Sequence, residues 1–273
     1  MEEFNGLKEK IGYDHVDGFC TYLSKLYQSS ATHTIAKDRW KVTTLSIYKS
    51  RDSVQHEYLV AEVICAQMII YLRMERKLHM SGVGQMFKNG STSQPPNPTA
   101  KTQTSDDSDS SPDNAAYRDT TRQIPTHSLS KIASDEISYA KTLLELGTSE
   151  HKKLCEVIRF PEGEELSLPQ LAVLARCVNS MGRTYHLFEE NCYWFTHLMI
   201  ETAKKIKPNH VEEKLSKKKQ GSWNGIVVTK KSTPELIDQA KTLYEEEWAA
   251  FLRDVSRVYL KFYVCLMPMF SDL

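Results

Sequence analysis

From Lys88 to Gln123 the chain reads KNGSTSQPPNPTAKTQTSDDSDSSPDNAAYRDTTRQ, without a single Val, Ile, Leu, Met, Phe, Trp or Cys. A segment of this composition cannot bury enough apolar surface to offset the entropy of ordering it, so the sequence predicts a disordered insertion. Any core must therefore be assembled from the flanks. Loop-closure cost rises only slowly with length, which lets the two flanks belong to one domain. Hydrophobic residues make up 40% of the 273-residue chain, short of the roughly 45–50% of a globular domain, and the insertion holds most of that deficit.

Charge and cysteine usage exclude several classes. Lys plus Arg (35) balances Asp plus Glu (35), unlike the basic excess of a general polyanion binder, so no nucleic-acid partner is expected. The six cysteines, at positions 20, 65, 155, 177, 192 and 265, include no CxxC pair. The opening MEEFNGLKEK lacks the basic-then-apolar layout of a secretory signal, so reduced thiols and a cytoplasmic location are expected. No window approaches the ~20 apolar residues of a spanning helix. The best candidate, Val258 to Phe270, carries Lys261 and is interrupted by Pro268. It reads as a buried terminal helix or strand, with a weak membrane contact as the alternative.

Periodicity then assigns the elements. Val16, Phe19, Cys20, Leu23, Leu26 and Tyr27 recur at helical spacing, with Asp14 placed to cap. Three strands follow, about Lys41 to Tyr48, Gln55 to Ile64 and Met68 to Arg76, rich in β-branched and aromatic residues and paired as an antiparallel meander. On the second of them both faces are mixed, so alternation leaves open which one is core. Beyond the insertion, Ser134 to Leu146 opens with a capping serine and an acidic first turn and predicts a short helix. Leu154 to Phe160 predicts a strand, and Ser167 with Pro169 starts a helix that stops at Gly182. A short strand, Thr184 to Phe188, leads into an apolar helix beginning at Cys192. A Lys-rich solvated loop from Lys204 to Lys219, a strand at SWNGIVV and a long helix from Thr233 complete the chain. Helices and antiparallel strands in separate runs predict an α+β fold.

A cysteine in the first turn of a helix, after a short strand and with a histidine on an upstream strand, has a chemical meaning. A free thiol is mostly protonated at neutral pH, whereas a helix N-terminus and a nearby imidazolium both favour thiolate. The histidine can act as base and then as proton donor to a leaving group, oriented by a third polar side chain.

These residues also carry a resemblance. TYHLFEENCYWFTHLMIE, with its strand, Asn-Cys pair, aromatic cluster and apolar helix, resembles the circularly permuted papain-like thiol enzymes. That superfamily includes the NlpC/P60-related and lecithin:retinol acyltransferase-like families, and HEYLVAEVICAQMIIYLRMER resembles its histidine strand and the strand after it. More narrowly, these segments with LPQLAVLA resemble a group of uncharacterised fungal proteins. The similarity covers about Trp40 to Trp223 without the insertion. It implies Cys192 as nucleophile, His56 as base and Asn191 as the residue preceding the nucleophile. The third residue comes from the strand after the histidine strand, which offers Arg73 and Glu75 where many acyltransferase-like relatives have a histidine. Glu75 is preferred, because a carboxylate accepts an imidazole N–H and raises its basicity whereas a guanidinium opposes imidazolium. His56 is followed by Glu57 rather than the aromatic of lipid-acting members, so the substrate class does not transfer.

Other signals are weaker. His186 and His197 flank Cys192, but a five-residue step does not share a helix face, so no metal is expected. The aromatic cluster Tyr193, Trp194 and Phe195 reads as core. There is no Gly-rich phosphate loop, GxSxG or HExxH, and no cofactor is expected. The expected organisation is a helical extension (1–36), a first half-core with the histidine strand (37–87), the insertion (88–128), a second half-core with the Cys helix (129–232) and a terminal helix (233–273). The expected activity is hydrolysis or acyl transfer at an amide or ester of a small-molecule or peptide substrate. The alternative is a catalytically silent scaffold.

Overall fold

In a computed structural model of the chain, residues 12–29, 40–50, 56–78, 131–147, 152–182, 184–185, 191–215, 222–223, 226–227 and 232–266 are described. The chain divides into two units, Met1–His79 with Ser130–Leu273, and Met80–Leu129. The second unit, and with it the predicted insertion 88–128, lies outside the described residues.

The N-terminal flank opens with β1 (Gly12–His15) and continues directly into α1 (Val16–Ser29). Asp14, read as a helix cap, is instead a strand residue opposite Ile137. The β-branched run forms the expected meander: β2 (Lys41–Ser50), β3 (Glu57–Cys65) and β4 (Met68–Leu78), paired antiparallel.

After the insertion the structure departs from expectation. SDEISYA forms no helix; it belongs to β5 (Lys131–Ala140), between β1 and β4, and the chain turns at 141–147. The acidic residues that resemble a helix's first turn answer cations across the sheet, Asp135 facing Arg76 and Glu136 meeting Lys77. Carboxylates can satisfy an N-terminal turn or a cross-strand cation, and here the distant partners decide.

Next come β6 (Lys152–Arg159), β7 (Leu166–Ser167) and α2 (Leu168–Met181). The start of α2 is local chemistry: the Ser167 hydroxyl accepts from the Gln170 N–H while the Gln170 side chain accepts from the Ser167 N–H. β8 (Thr184–Tyr185) precedes α3 (Cys192–Ile206). The expected Lys-rich loop lies in part in regular elements, and residues 216–219 lie outside the described residues. Lys204 and Lys205 close α3, and Lys214 ends β9 (Val211–Lys214). Lys204 is nearly buried and reaches Glu156, Glu201 and Glu212, so carboxylates on three elements draw it out of solvent. SWNGIVV is two strands rather than one, β10 (Ser222–Trp223) and β11 (Ile226–Val227), paired antiparallel; Asn-Gly is the dipeptide that favours such a reversal. Finally α4 (Pro234–Leu266) absorbs the start of the apolar C-terminal stretch, while residues 267–273 lie outside the described residues.

The architecture is mixed α and β, with four helices among the described residues and an antiparallel sheet in the order β1-β5-β4-β3-β2-β6-β9. β7 pairs with β2 and β8 with β5. Strand alternation gives the sheet two different faces. Leu45, Ile47, Leu59, Ala61, Val63, Leu72, Met74 and Ile137 meet the helices in the main core. On the opposite face Tyr58, Val60, Ala140 and Leu146 form a smaller cluster with Tyr48, Tyr71 and Leu143. Both faces of β3 are therefore covered, which is why its alternation did not distinguish them. Among the described residues no helix is long and apolar enough to cross a membrane.

Candidate functional site

The site is built around the start of α3. Asn191 is its N-cap: with an extended backbone, its Oδ1 accepts from the N–H groups of Tyr193 (3.0 Å) and Trp194 (3.2 Å). Its carbonyl accepts from the Phe195 N–H at 3.1 Å. Cys192 thus becomes the first helical residue, where the aligned peptide dipoles put positive charge beside the sulfur. The side chain is shielded at 4% residue exposure, and the three aromatic residues after it are buried too.

His56 lies one residue before β3. Its Nε2 is 2.9 Å from Oε2 of Glu75 on β4, and Cys192 is the other neighbour that favours a proton on its ring. Cys192, His56 and Glu75 are therefore brought together from three separate segments. Arg73 also takes part, but as a partner of the carboxylate: its Nη2 donates to the same Oε2 at 2.7 Å, and its Nη1 donates to the Leu146 carbonyl at 3.2 Å. Lys77 holds the other oxygen of Glu75 at 2.9 Å and reaches Glu136 at 2.7 Å. Tyr58 supports the group from the same face, with the Arg73 guanidinium carbon 4.0 Å from its ring centroid and the His56 ring stacked at 6.4 Å.

These contacts set the protonation states. Burial alone would lower the affinity of His56 for a proton, but hydrogen bonds and charge from Cys192 and Glu75 outweigh it and raise the pKa to about 9. Burial works to raise the Glu75 pKa, yet the bond to His56, the Arg73 charge and the Lys77 bond bring it down to about 2. At neutral pH the pair is therefore imidazolium and carboxylate. The other buried thiols lie in different surroundings: burial pushes Cys20 up, Cys155 to about 11 and Cys177 to about 12. They are thiols packed as small apolar groups.

Other expectations fare variously. His186 and the end of the predicted strand at Phe188 lie outside the described residues. Among the described residues no group of three or more His, Cys, Asp or Glu is arranged to hold a metal ion. Two cavities, of about 380 and 440 Å³, are lined by none of Cys192, His56 or Glu75. Sequence reasoning missed Lys77, Tyr58 and, behind the helix start, the pair Arg76 and Asp135. The run YLRMERK contained a signal for them, because charged residues alternating with apolar ones through both faces of a strand require partners on both. Comparison of the chain with protein-family models, curated proteins and solved structures gives no match.

Proposed function

We propose that the chain is a thiol-dependent hydrolase or acyltransferase with a permuted papain-like core, acting on an amide or ester bond in the cytoplasm. The observation that carries this reading is the 2.9 Å His56–Glu75 pair, with Cys192 at a capped helix start favouring the proton on His56. In this scheme His56 holds the proton of the Cys192 thiol, and the resulting thiolate sulfur attacks the carbonyl carbon and forms a C–S bond. The carbonyl electron pair moves onto oxygen, to which the Cys192 N–H at the positive end of α3 can donate a hydrogen bond. The C–N or C–O bond then breaks, and the leaving group takes the proton of His56. Water, or an amine or alcohol, attacks the thioester and returns a proton to His56 as the C–S bond breaks. Glu75 keeps the imidazole oriented and favours its charged form.

The test compares the six cysteines by alkylation with iodoacetamide, read by peptide mass spectrometry across pH. Cys192 is expected to label at least about tenfold faster than Cys20, Cys155 and Cys177 at neutral pH, and His56→Ala is expected to remove most of that advantage. Equal labelling of all the thiols would sink the reading. Burial of Cys192 supports the second reading, a catalytically silent accessory scaffold of the kind the fungal resemblance suggests. In that case Cys192 stays unreactive while the fold remains intact.

A further inference from the structure

Directly beside the first turn of α3 lies an ion pair that the proposed chemistry does not use. Arg76 and Asp135 stand opposite each other in the β4–β5 register, and both side chains are completely shielded from solvent. The guanidinium donates twice to the carboxylate, Nε to Oδ1 at 2.7 Å and Nη2 to Oδ2 at 2.6 Å. Nη1 has no hydrogen-bond partner among the described residues. Removing two ions from water is costly, and apolar residues of similar volume often stabilise a fold as well or better. The geometry of the pair indicates what it does.

The guanidinium carbon lies 4.7 Å from the Trp194 ring centroid and 5.5 Å from that of Phe195. Both rings belong to the turn that begins with Cys192. Gly182 closes the arrangement from the end of α2. A Cβ there would come within 2.7 Å of Arg76 Nη1 and 2.8 Å of the Trp194 ring. The backbone of Gly182, at φ −133°, is open to any residue, so space rather than conformation selects glycine. The planar cation is thus held in orientation by two parallel bonds and packed against the aromatic residues that follow the thiol.

We infer that Arg76, oriented by Asp135 and packed against Trp194 and Gly182, is a positioning residue that seats the first turn of α3 so that Cys192 meets His56. This rests on the thiol chemistry proposed above. A displacement of about 1 Å at a reacting group can cost on the order of a hundredfold in rate, so a rigid seat has a chemical consequence.

The test is the double substitution Arg76→Met with Asp135→Leu, which removes both charges and approximately conserves volume. Thermal unfolding reports whether the variant is folded, and the pH profile of Cys192 alkylation reports the seat. A folded variant is expected to label about tenfold or more slowly at neutral pH, with a changed pH profile. A folded variant with the unmutated protein's rate and midpoint overturns the inference. If the double variant does not fold, Gly182→Ala decides by the same readout: slower labelling with a changed pH profile supports the seat, and an unchanged rate and profile overturn it. Failure of the underlying thiol reading is separately visible, because Cys192 of the unmutated protein would then label no faster than Cys177; that result overturns both.

Discussion

Glu75 and Arg76 are neighbours on β4, yet they occupy two different electrostatic environments. Glu75 points to the face with Tyr58 and is shared among His56, Arg73 and Lys77. Arg76 points to the helix face and has one ionic partner among the described residues, Asp135, with no solvent contact for either side chain. The first group is a network in which Lys77 remains 42% exposed at the side chain, so losing one member leaves others able to rearrange or hydrate. The second is a closed pair in which losing one member leaves an uncompensated charge. A single strand can therefore carry a titratable site on one side and a rigid support on the other, because successive side chains alternate between faces.

The largest effect is expected from breaking the closed pair. Asp135→Ala should cost about 3–5 kcal/mol of unfolding free energy, whereas Glu75→Gln should cost about 1–3 kcal/mol because its former partners retain other contacts or water. Denaturant unfolding of the two variants side by side checks this. Equal costs would remove the distinction between the faces.

A smaller effect comes from pH, and it belongs to the Glu75 side. The proton on His56 is held more tightly in the folded chain, with a pKa of about 9 against an ordinary 6.5. The stabilisation is complete below pH 6.5 and is lost as pH rises through 9, by no more than about 3 kcal/mol. The Glu75 shift works at the opposite end, its contribution being present above 4.5 and lost as pH falls toward 2. Unfolding measured from pH 6.5 to 9 should show this decline in the unmutated protein and a flatter profile in His56→Gln. An equal slope in both would detach the decline from His56.

The smallest expected effect tests the joint between the two environments. Asn191→Ala removes the acceptor for two first-turn amides and should cost about 1 kcal/mol, with Asn191→Asp restoring most of it. Chemical denaturation of both variants measures the difference. A loss well above that range would mean that Asn191 supports more than the helix start.

Several parts of the fold and site were legible before any tertiary information. The β2–β4 meander, the Ser167–Gln170 cap and the helix opening at Cys192 follow from patterns spanning a few residues. His56 and Glu75 could be nominated from the thiol motif, and the fold places them 2.9 Å apart. The strand β5 was not legible, because Ser134, Asp135 and Glu136 satisfy the local grammar of a helix start equally well. Nor was Gly182: a glycine after a helix reads as a stop, while its neighbours Arg76 and Trp194 show that the missing side chain makes room for the support beneath α3.

The sequence by itself determined where the sheet's central strands and the capped helices begin, since caps, turns and hydrophobic periods act between near neighbours. Only the tertiary structure decided which charge meets which. His56 and Glu75 are 19 positions apart, and Arg76 and Asp135 are 59. At such separations a carboxylate has no local preference among the cations of the chain. The sheet register and the seat of α3 select its partner, and burial then makes that choice energetically decisive.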